Sequence, residues 1–202
     1  MSTPSVGLRA RKKEATAQAL QGRAIELFLE RGYDETTVQD ITDAAGVSQR
    51  TFFRYYATKD AVLLAEHARR EAAMSELLVS RTGLPVRETL DVVLRDLVRD
   101  IVDRRDLVKV QAQVFLTVPA LADRFSGHQD RLGVILSEFL AGELGVPADS
   151  DPRPRLLAVQ VVRSWTVSIL VWLTGGMTGD LEQMAADSLH LMRSDPLFVD
   201  PA

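Results

Sequence analysis

Apolar residues recur along most of the chain at spacings of three and four, the period of an amphipathic α-helix. Between residues 15 and 31 this period is carried by Leu20, Ala24, Leu27 and Phe28, and Gly32 follows as a helix stop. No sustained alternation of apolar and polar residues predicts a strand, and no Asn-Gly or Asp-Gly pair predicts a hairpin. The pattern therefore predicts an all-α protein of about nine helices.

Helix length changes near residue 60. Three short segments come first, and a longer helix follows from Lys59 to about Ser80. The clearest loop is VPADSDPRP, and it precedes two further helices at about 155–174 and 179–193. We therefore expect an N-terminal three-helix domain over residues 1–58 and a C-terminal helical domain over residues 59–202.

Two of the short helices meet at Gly46. Apolar residues flank this glycine as Ile41, Ala45, Val47 and Phe52, and glycine permits the positive φ that a sharp corner needs. This is the sequence form of a helix-turn-helix, whose second helix enters the major groove of DNA. The pattern also fits a plain helical hairpin with a solvated basic face.

The stretch TTVQDITDAAGVSQRTFFRYYATKDAVLLA, with AIELFLERGYDETTV before it, resembles the N-terminal domain of the TetR/AcrR family of bacterial transcriptional regulators. The resemblance covers roughly residues 15–65, and YYATK is its most specific part. It implies an all-helical homodimer in which residues 48–56 of each subunit enter the major groove of a palindromic operator. It also implies repression that an unknown small-molecule effector relieves by binding the C-terminal ligand-binding and dimerisation domain.

Helical spacing divides four aromatic residues that lie within five positions. Phe52 and Tyr56 are four apart and are predicted to pack in the core, whereas Phe53 and Tyr55 flank the opposite surface. On that surface arginine can read guanine, glutamine can read adenine, and hydroxyls or lysine suit phosphates. The residues expected to contact DNA are Thr37, Ser48, Gln49, Arg50, Thr51, Phe53, Arg54, Tyr55 and Lys59.

Three positions depart from the family pattern. Phe53 stands where members usually carry tyrosine, so apolar contact replaces a phosphate hydrogen bond. Arg50 stands where a small residue is common, which adds a long cation to the DNA-facing side and enlarges the base readout. Thr42 stands where alanine is common and slightly loosens the packing of the corner.

Charge distribution adds one candidate. The net charge is −4, yet the N-terminal segment contains the basic run RARKK at residues 9–13. This run either reaches the minor groove or phosphates ahead of the first helix, or serves as disordered solubilising charge.

The helix at 155–174 carries two stripes. Ala158, Val162, Trp165, Ile169 and Trp172 form an apolar stripe. A second stripe of small and apolar residues predicts a dimer interface, with an intrachain core as the alternative. The predicted interface residues are Val161, Ser164, Ser168, Val171 and Gly175; the candidate ligand residues are Gln160, Arg163 and Trp165. The polar pair Gln160 and Arg163 could line a pocket or cross-link the dimer.

Other classes of protein find little support. Cysteine is absent, the three histidines are far apart, and no catalytic or phosphate-binding motif is present. We therefore expect no catalytic residues, no metal and no cofactor. The N-terminus lacks a signal sequence and no apolar run approaches roughly 20 residues, so a cytoplasmic protein without a membrane partner is expected. A purely structural helical adaptor would leave the set Gln49, Arg50, Arg54 and Lys59 unexplained.

Overall fold

The computed structural model describes residues 5–194, and this part of the chain is all helical, with nine α-helices and no strand. The helices are α1 (Ser5–Arg31), α2 (Val38–Ala45), α3 (Gln49–Tyr55), α4 (Ala61–Val79), α5 (Val86–Asp103), α6 (Arg105–Thr117), α7 (Pro119–Leu144), α8 (Pro152–Thr174) and α9 (Leu181–Ser194). The predicted all-α fold is confirmed.

Two helices begin earlier than the sequence pattern indicated. α1 begins at Ser5 rather than near Ala15, because the basic run consists of residues that favour helix. The side chains of Arg9 and Arg11 lie outside the described residues, so the expected groove contact of the run stays a prediction. α8 begins at Pro152, inside the predicted loop, because Asp151 caps it and proline suits the first helical position.

The chain divides into two compact units. The first takes the chain up to Glu66 together with Asp106–Leu121, and the second takes His67–Arg105 and the chain from Ala122 onward. The first unit is thus larger than the expected domain 1–58, since the start of α4 and most of α6 share its core. That residues 1–58 alone form the DNA-binding part stays a prediction.

The core of the first unit joins α1, α2 and α3. Leu20, Ala24 and Phe28 from α1 are buried with Ile41 and Phe52, as the periodicity predicts. Two buried glutamines fasten the start of α4 to this core through its backbone carbonyls. Gln21 donates to the Val62 oxygen over 3.0 Å, and Gln111 donates to the Leu63 oxygen.

Gly46 forms the corner between α2 and α3. Its φ of 65° and ψ of 33° are left-handed, and its N–H donates to the carbonyls of Asp43 and Thr42. A Cβ built on it would meet nothing within 4 Å. The requirement for glycine here is therefore conformational and not steric.

Substituting Gly46→Ala should lower the free energy of unfolding by about 1–2 kcal/mol, because an L-residue pays that cost in the left-handed region. Urea denaturation measures the effect. The matched control is Gly22→Ala, at an exposed glycine inside α1 with equal space. This variant should raise the free energy of unfolding by roughly 0.5–1 kcal/mol. Equal effects at both positions would contradict the conformational explanation.

The second unit packs α9 against both α5 and α8. The apolar stripe of α8 is buried as expected, with Trp165 and Trp172 both inside. Asp100 on α5 accepts a hydrogen bond of 2.7 Å from Arg70 on α4 and also pairs with Arg69 and Arg104. The arginine contacts outweigh burial and hold the pKa of Asp100 below its usual range.

Two stacked histidines are buried in the second unit. The rings of His67 on α4 and His128 on α7 lie 4.1 Å apart at an angle of 8°. The His128 Nδ1 lies 2.7 Å from the Glu71 carboxylate, which also accepts a hydrogen bond from Arg131. Burial lowers the pKa of His67 to about 3 and also lowers the pKa of His128. Both imidazoles are therefore neutral at neutral pH.

Acidification should destabilise this unit. The depressed pKa of His67 means that the unfolded chain binds its proton first, so stability present above about pH 6.5 is lost as pH falls toward 3. Between pH 7 and pH 5 the protonation of His67 should lower the free energy of unfolding by about 2 kcal/mol. Urea titrations at both pH values measure it. His67→Phe should remove most of this pH dependence, whereas His190→Gln, at an exposed position, should retain it.

Candidate nucleic-acid interface

Side chains cap both helices of the corner. Thr37 accepts a hydrogen bond from the Asp40 N–H, and the Asp40 carboxylate accepts one from the Thr37 N–H over 2.8 Å, forming a capping box. Hydrogen bonds from the Thr37 hydroxyl and from the Thr37 N–H hold the pKa of the Asp40 carboxyl below its ordinary value. Ser48 caps α3 by accepting from the Thr51 N–H over 3.2 Å. The caps define where α3 starts and hence which residues share its outer face.

Phe52, Phe53 and Tyr56 lie as the spacing predicts, whereas Tyr55 packs partly against the core. Phe52 is fully buried, and Tyr56 is buried with its hydroxyl donating to the Ala17 carbonyl over 3.0 Å. Phe53 is 53% exposed, although the edge of its ring meets Phe52. Tyr55 is half-buried at the margin of the core. The two inner aromatics hold α3 in place, and Phe53 offers an apolar surface to a partner.

Two arginines lie on the exposed face of α3. Arg50 is exposed and makes no hydrogen bond or ion pair with the described residues. Arg54 lies over the Tyr55 ring, 5.0 Å from its centre, and donates to the Tyr55 hydroxyl over 3.4 Å. Hydrogen bonds from Arg54 and Thr16, with the charges of Arg54 and Lys13, lower the pKa of the Tyr55 phenol. This end of α3 is electropositive, as a phosphate contact requires.

The predicted phosphate-binding hydroxyls already have partners in the chain. Thr37 donates its hydroxyl to Asp40, and the hydroxyls of Ser48 and Thr51 lie 3.1 Å apart. Their oxygens still have lone pairs, but a phosphate needs donors. The expected contacts of these three residues with DNA stay predictions.

Lys59 has a structural role that the sequence did not reveal. Its Nζ donates to the carbonyls of Tyr33 and Thr36 over 2.6 and 2.9 Å, and it lies 4.1 Å from the centre of the Tyr33 ring. Burial lowers the pKa of the ammonium group. The sequence pattern placed Lys59 at the start of the fourth helix. In the structure it lies in the turn before Ala61, where α4 begins. Two of its three donors are used here, so its contact with DNA stays a prediction.

Sequence reasoning missed two residues of this surface. Gln39 and Asp43 lie four apart on the exposed side of α2, and Gln49 donates to the Gln39 side chain over 2.7 Å. The helical spacing of α2 could have revealed them: its apolar positions are buried, and Gln39 and Asp43, four residues apart, share the outward side. Thr42, by contrast, is fully buried, and its hydroxyl is satisfied by the Gln39 carbonyl over 3.0 Å.

The three candidate ligand residues do not lie together. Gln160 and Arg163 are exposed on α8, and Arg163 donates to the Gln129 side chain over 2.8 Å. Trp165 points inward and lines a cavity of about 30 Å³, room for a water or two, with Arg70 and Met74. Trp165 and Arg70 each also carry a buried donor, Nε1 and Nη2 respectively, that has no hydrogen-bond partner among the described residues.

The predicted interface stripe of α8 also divides. Val161 and Ser168 are buried inside the chain, and Ser168 lies 2.8 Å from the Ser188 hydroxyl of α9. Both residues are therefore turned toward the inside of the chain, and Ser168 faces α9. Ser164 is half-buried, whereas Val171 and Gly175 are exposed.

The exposed face of α8 is largely apolar, with Gln160 and Arg163 among its polar members. It carries Leu156, Leu157, Val159, Val167, Leu170 and Val171. By length and composition alone α8 could cross a membrane, although arginines interrupt its apolar residues. The test is met equally by a helix that is buried in a soluble protein.

A capped two-helix corner that buries one face and exposes arginine, glutamine and phenylalanine on the other defines a helix-turn-helix DNA-binding domain. The family model for bacterial regulatory proteins of the tetR family matches residues 22–65. The transcriptional regulator TcmR of Streptomyces glaucescens is 33% identical over 98% of this chain and 92% of its own length. The chain therefore belongs to the TetR family and is a DNA-binding transcriptional regulator.

Solved structures agree with this assignment. The TetR-family repressor FadR of Thermus thermophilus, in complex with lauroyl-CoA, superposes with a TM-score of 0.65 and 26% identity. The alignment covers 92% of this chain and 97% of FadR. A TetR-family regulator from Syntrophomonas wolfei superposes with a TM-score of 0.71 at 17% identity, over 89% and 94% of the two chains, which supports the fold.

Proposed function

We propose that this protein is a cytoplasmic, homodimeric repressor that leaves a palindromic operator when a small-molecule effector binds its second unit. The observation that carries the proposal is the outer face of α3, where Arg50, Arg54 and Phe53 are exposed while Phe52 anchors the helix from below. A solvated helical hairpin would not need an exposed phenylalanine beside Arg50, an arginine that has no partner among the described residues. No catalytic role is assigned to any residue.

Binding to the DNA upstream of the protein's own gene tests the proposal. We expect sequence-specific binding that survives an excess of random duplex. The affinity should fall steeply between about 50 and 200 mM salt, and the slope of log affinity against log salt should be roughly proportional to the number of phosphates contacted. Absent binding, or binding that random duplex abolishes, would contradict the regulator function. Reporter expression with and without the protein distinguishes repression from activation.

The exposed face of α8 supports the homodimer. Six exposed apolar side chains on one long helix are costly in water, and a second copy of the same helix would cover them symmetrically. This face replaces Val161 and Ser168 as the proposed contact, while Val171 and Gly175 stay within it. Arg163 and Gln160 lie on the same face, so cross-linking two subunits fits them better than lining a pocket.

Placing two glutamates on this face, Val167→Glu with Leu170→Glu, should convert the dimer to a monomer, because carboxylates from both subunits would have to leave water at the contact. Sedimentation velocity at micromolar concentration measures the change. Val79→Glu, at an exposed valine on α4, is the matched control and should leave the dimer intact. A double variant that stays dimeric would contradict this interface.

The buried donors of Arg70 and Trp165 support an effector site at the small cavity of the second unit. A ligand with an acceptor group and an apolar body would pair these donors and pack on Met74, Leu77 and Val93. Because the cavity holds only about 30 Å³, binding must open it. Lauroyl-CoA, the ligand in the FadR structure, is a reasonable first probe. A bound effector should raise the melting temperature and release DNA.

A further inference from the structure

A short polar chain links α2 to the first turn of α3. The Gln39 Nε2 donates to the Asp43 carboxylate over 2.6 Å, and the Gln49 Nε2 donates to the Gln39 Oε1 over 2.7 Å. All three side chains are exposed. Gln49 is the first residue of α3 and belongs to the surface proposed to face DNA.

The direction of this chain is set at Asp43. A carboxylate only accepts hydrogen bonds, so Gln39 must turn its NH₂ group toward it and its oxygen toward Gln49. That oxygen in turn requires Gln49 to present its own NH₂ group. The two amide orientations of Gln49 are nearly equal in shape. The choice between them is thus set by Asp43, two hydrogen bonds away.

Helix stability does not account for Asp43. It lies in the last turn of α2, three residues before the left-handed cap Gly46, where a negative charge opposes the helix dipole. Exposed hydrogen bonds between flexible side chains contribute little to folding. The geometry of this group therefore points toward a use outside the fold.

We propose that Gln39, held by Asp43, is a positioning residue that orients the Gln49 amide and thereby sets the base preference at the operator position that Gln49 reads. The inference rests on the proposed operator binding. With one Nε2 hydrogen committed to Gln39, Gln49 offers its Oε1 and one remaining N–H. This pair matches the N6 donor and N7 acceptor of adenine in the major groove.

An asparagine at position 43 would remove the directional control. Its amide either donates or accepts, so Gln39 could reverse and Gln49 could turn its NH₂ group fully outward. Two donors suit the acceptors of guanine or thymine. Loss of one oriented bidentate contact corresponds to a drop in discrimination of about 5-fold to 150-fold.

The experiment selects bound duplexes from a random pool with the full chain and sequences them. Wild type establishes the operator, and Gln49→Ala identifies the position that Gln49 reads. Asp43→Asn and Gln39→Ala should relax the preference for adenine at that position only. Glu35→Gln, which removes the same charge in the turn before α2, should leave the preference unchanged.

The outcomes distinguish failure of the proposed operator binding from failure of the positioning role of Gln39. If wild type selects no sequence, the proposed operator binding fails, and the inference fails with it. If wild type selects an operator but Asp43→Asn and Gln39→Ala keep its base profile, the positioning role alone is overturned. A change spread over all positions, or one shared with Glu35→Gln, would assign the effect to net charge and also overturn it. Circular dichroism checks that each variant is folded.

Discussion

Replacing Phe52 with alanine is expected to lower the free energy of unfolding by about 3–5 kcal/mol. Phe52 is fully buried in the core that joins α1, α2 and α3, and it contacts the rings of Phe53 and Tyr56. Truncation removes most of the apolar surface that holds α3 and leaves a cavity that the short helix cannot close. Because whole domains are stable by only about 5–15 kcal/mol, the variant should be largely destabilised at 37 °C. Urea denaturation followed by circular dichroism measures the loss.

Phe53→Ala is the matched control. It deletes the same atoms one residue along, at a position that is 53% exposed, so stability should change by at most about 1 kcal/mol. DNA affinity should fall in this variant although the fold persists. If Phe53→Ala destabilised the protein as much as Phe52→Ala, the division of the aromatics into inner and outer pairs would be wrong.

Removing both arginines of α3, as Arg50→Ala with Arg54→Ala, should weaken operator binding by roughly 30-fold or more, since each arginine–guanine contact contributes about 1–3 kcal/mol of discrimination. Stability should be unaffected, because Arg50 is exposed and Arg54 only covers the Tyr55 ring. Fluorescence anisotropy with operator and random duplexes at two salt concentrations measures both affinity and discrimination.

Arg50→Lys with Arg54→Lys is the informative companion. It keeps the two charges but loses the planar fork that binds guanine at two points. We expect this variant to retain binding to random duplex and the dependence on salt, while discrimination between operator and random duplex falls. Full discrimination in the lysine variant would contradict the role given to the planar guanidinium groups of Arg50 and Arg54.

Periodicity was enough to predict the all-α fold and the aromatic division, because both follow from which positions of a helix face inward. Phe52, Tyr56 and Ile41 are buried for that reason. The same reasoning does not choose between partners where a residue has two possible inward directions. Val161 and Ser168 lie on a stripe of α8 that could meet either a second subunit or the chain's own core. Both are buried inside the chain, and Ser168 lies beside Ser188 of α9.

Side-chain partners at the site were less predictable. Lys59 follows the aromatic pair at a spacing typical of the family, yet its ammonium group is bound to carbonyls of the turn after α1, at Tyr33 and Thr36. Backbone carbonyls carry no sequence signal, so such a bond cannot be foreseen. The contact between Gln39 and Gln49 spans two helices and depends on their crossing, which spacing within one helix does not reveal.

The helix proposed to read DNA, α3, has only seven residues. An isolated helix of fewer than about 12 residues is unstable in water, so α3 has helical geometry only while Phe52 remains packed. Its hydrogen-bonded amides should then exchange with solvent only when the surrounding core opens, and not by fraying alone. The surface proposed to read DNA is consequently all-or-none. The same cooperative unit that maintains the core keeps the side chains of this surface in register, so partial loosening of that unit should abolish recognition as a whole.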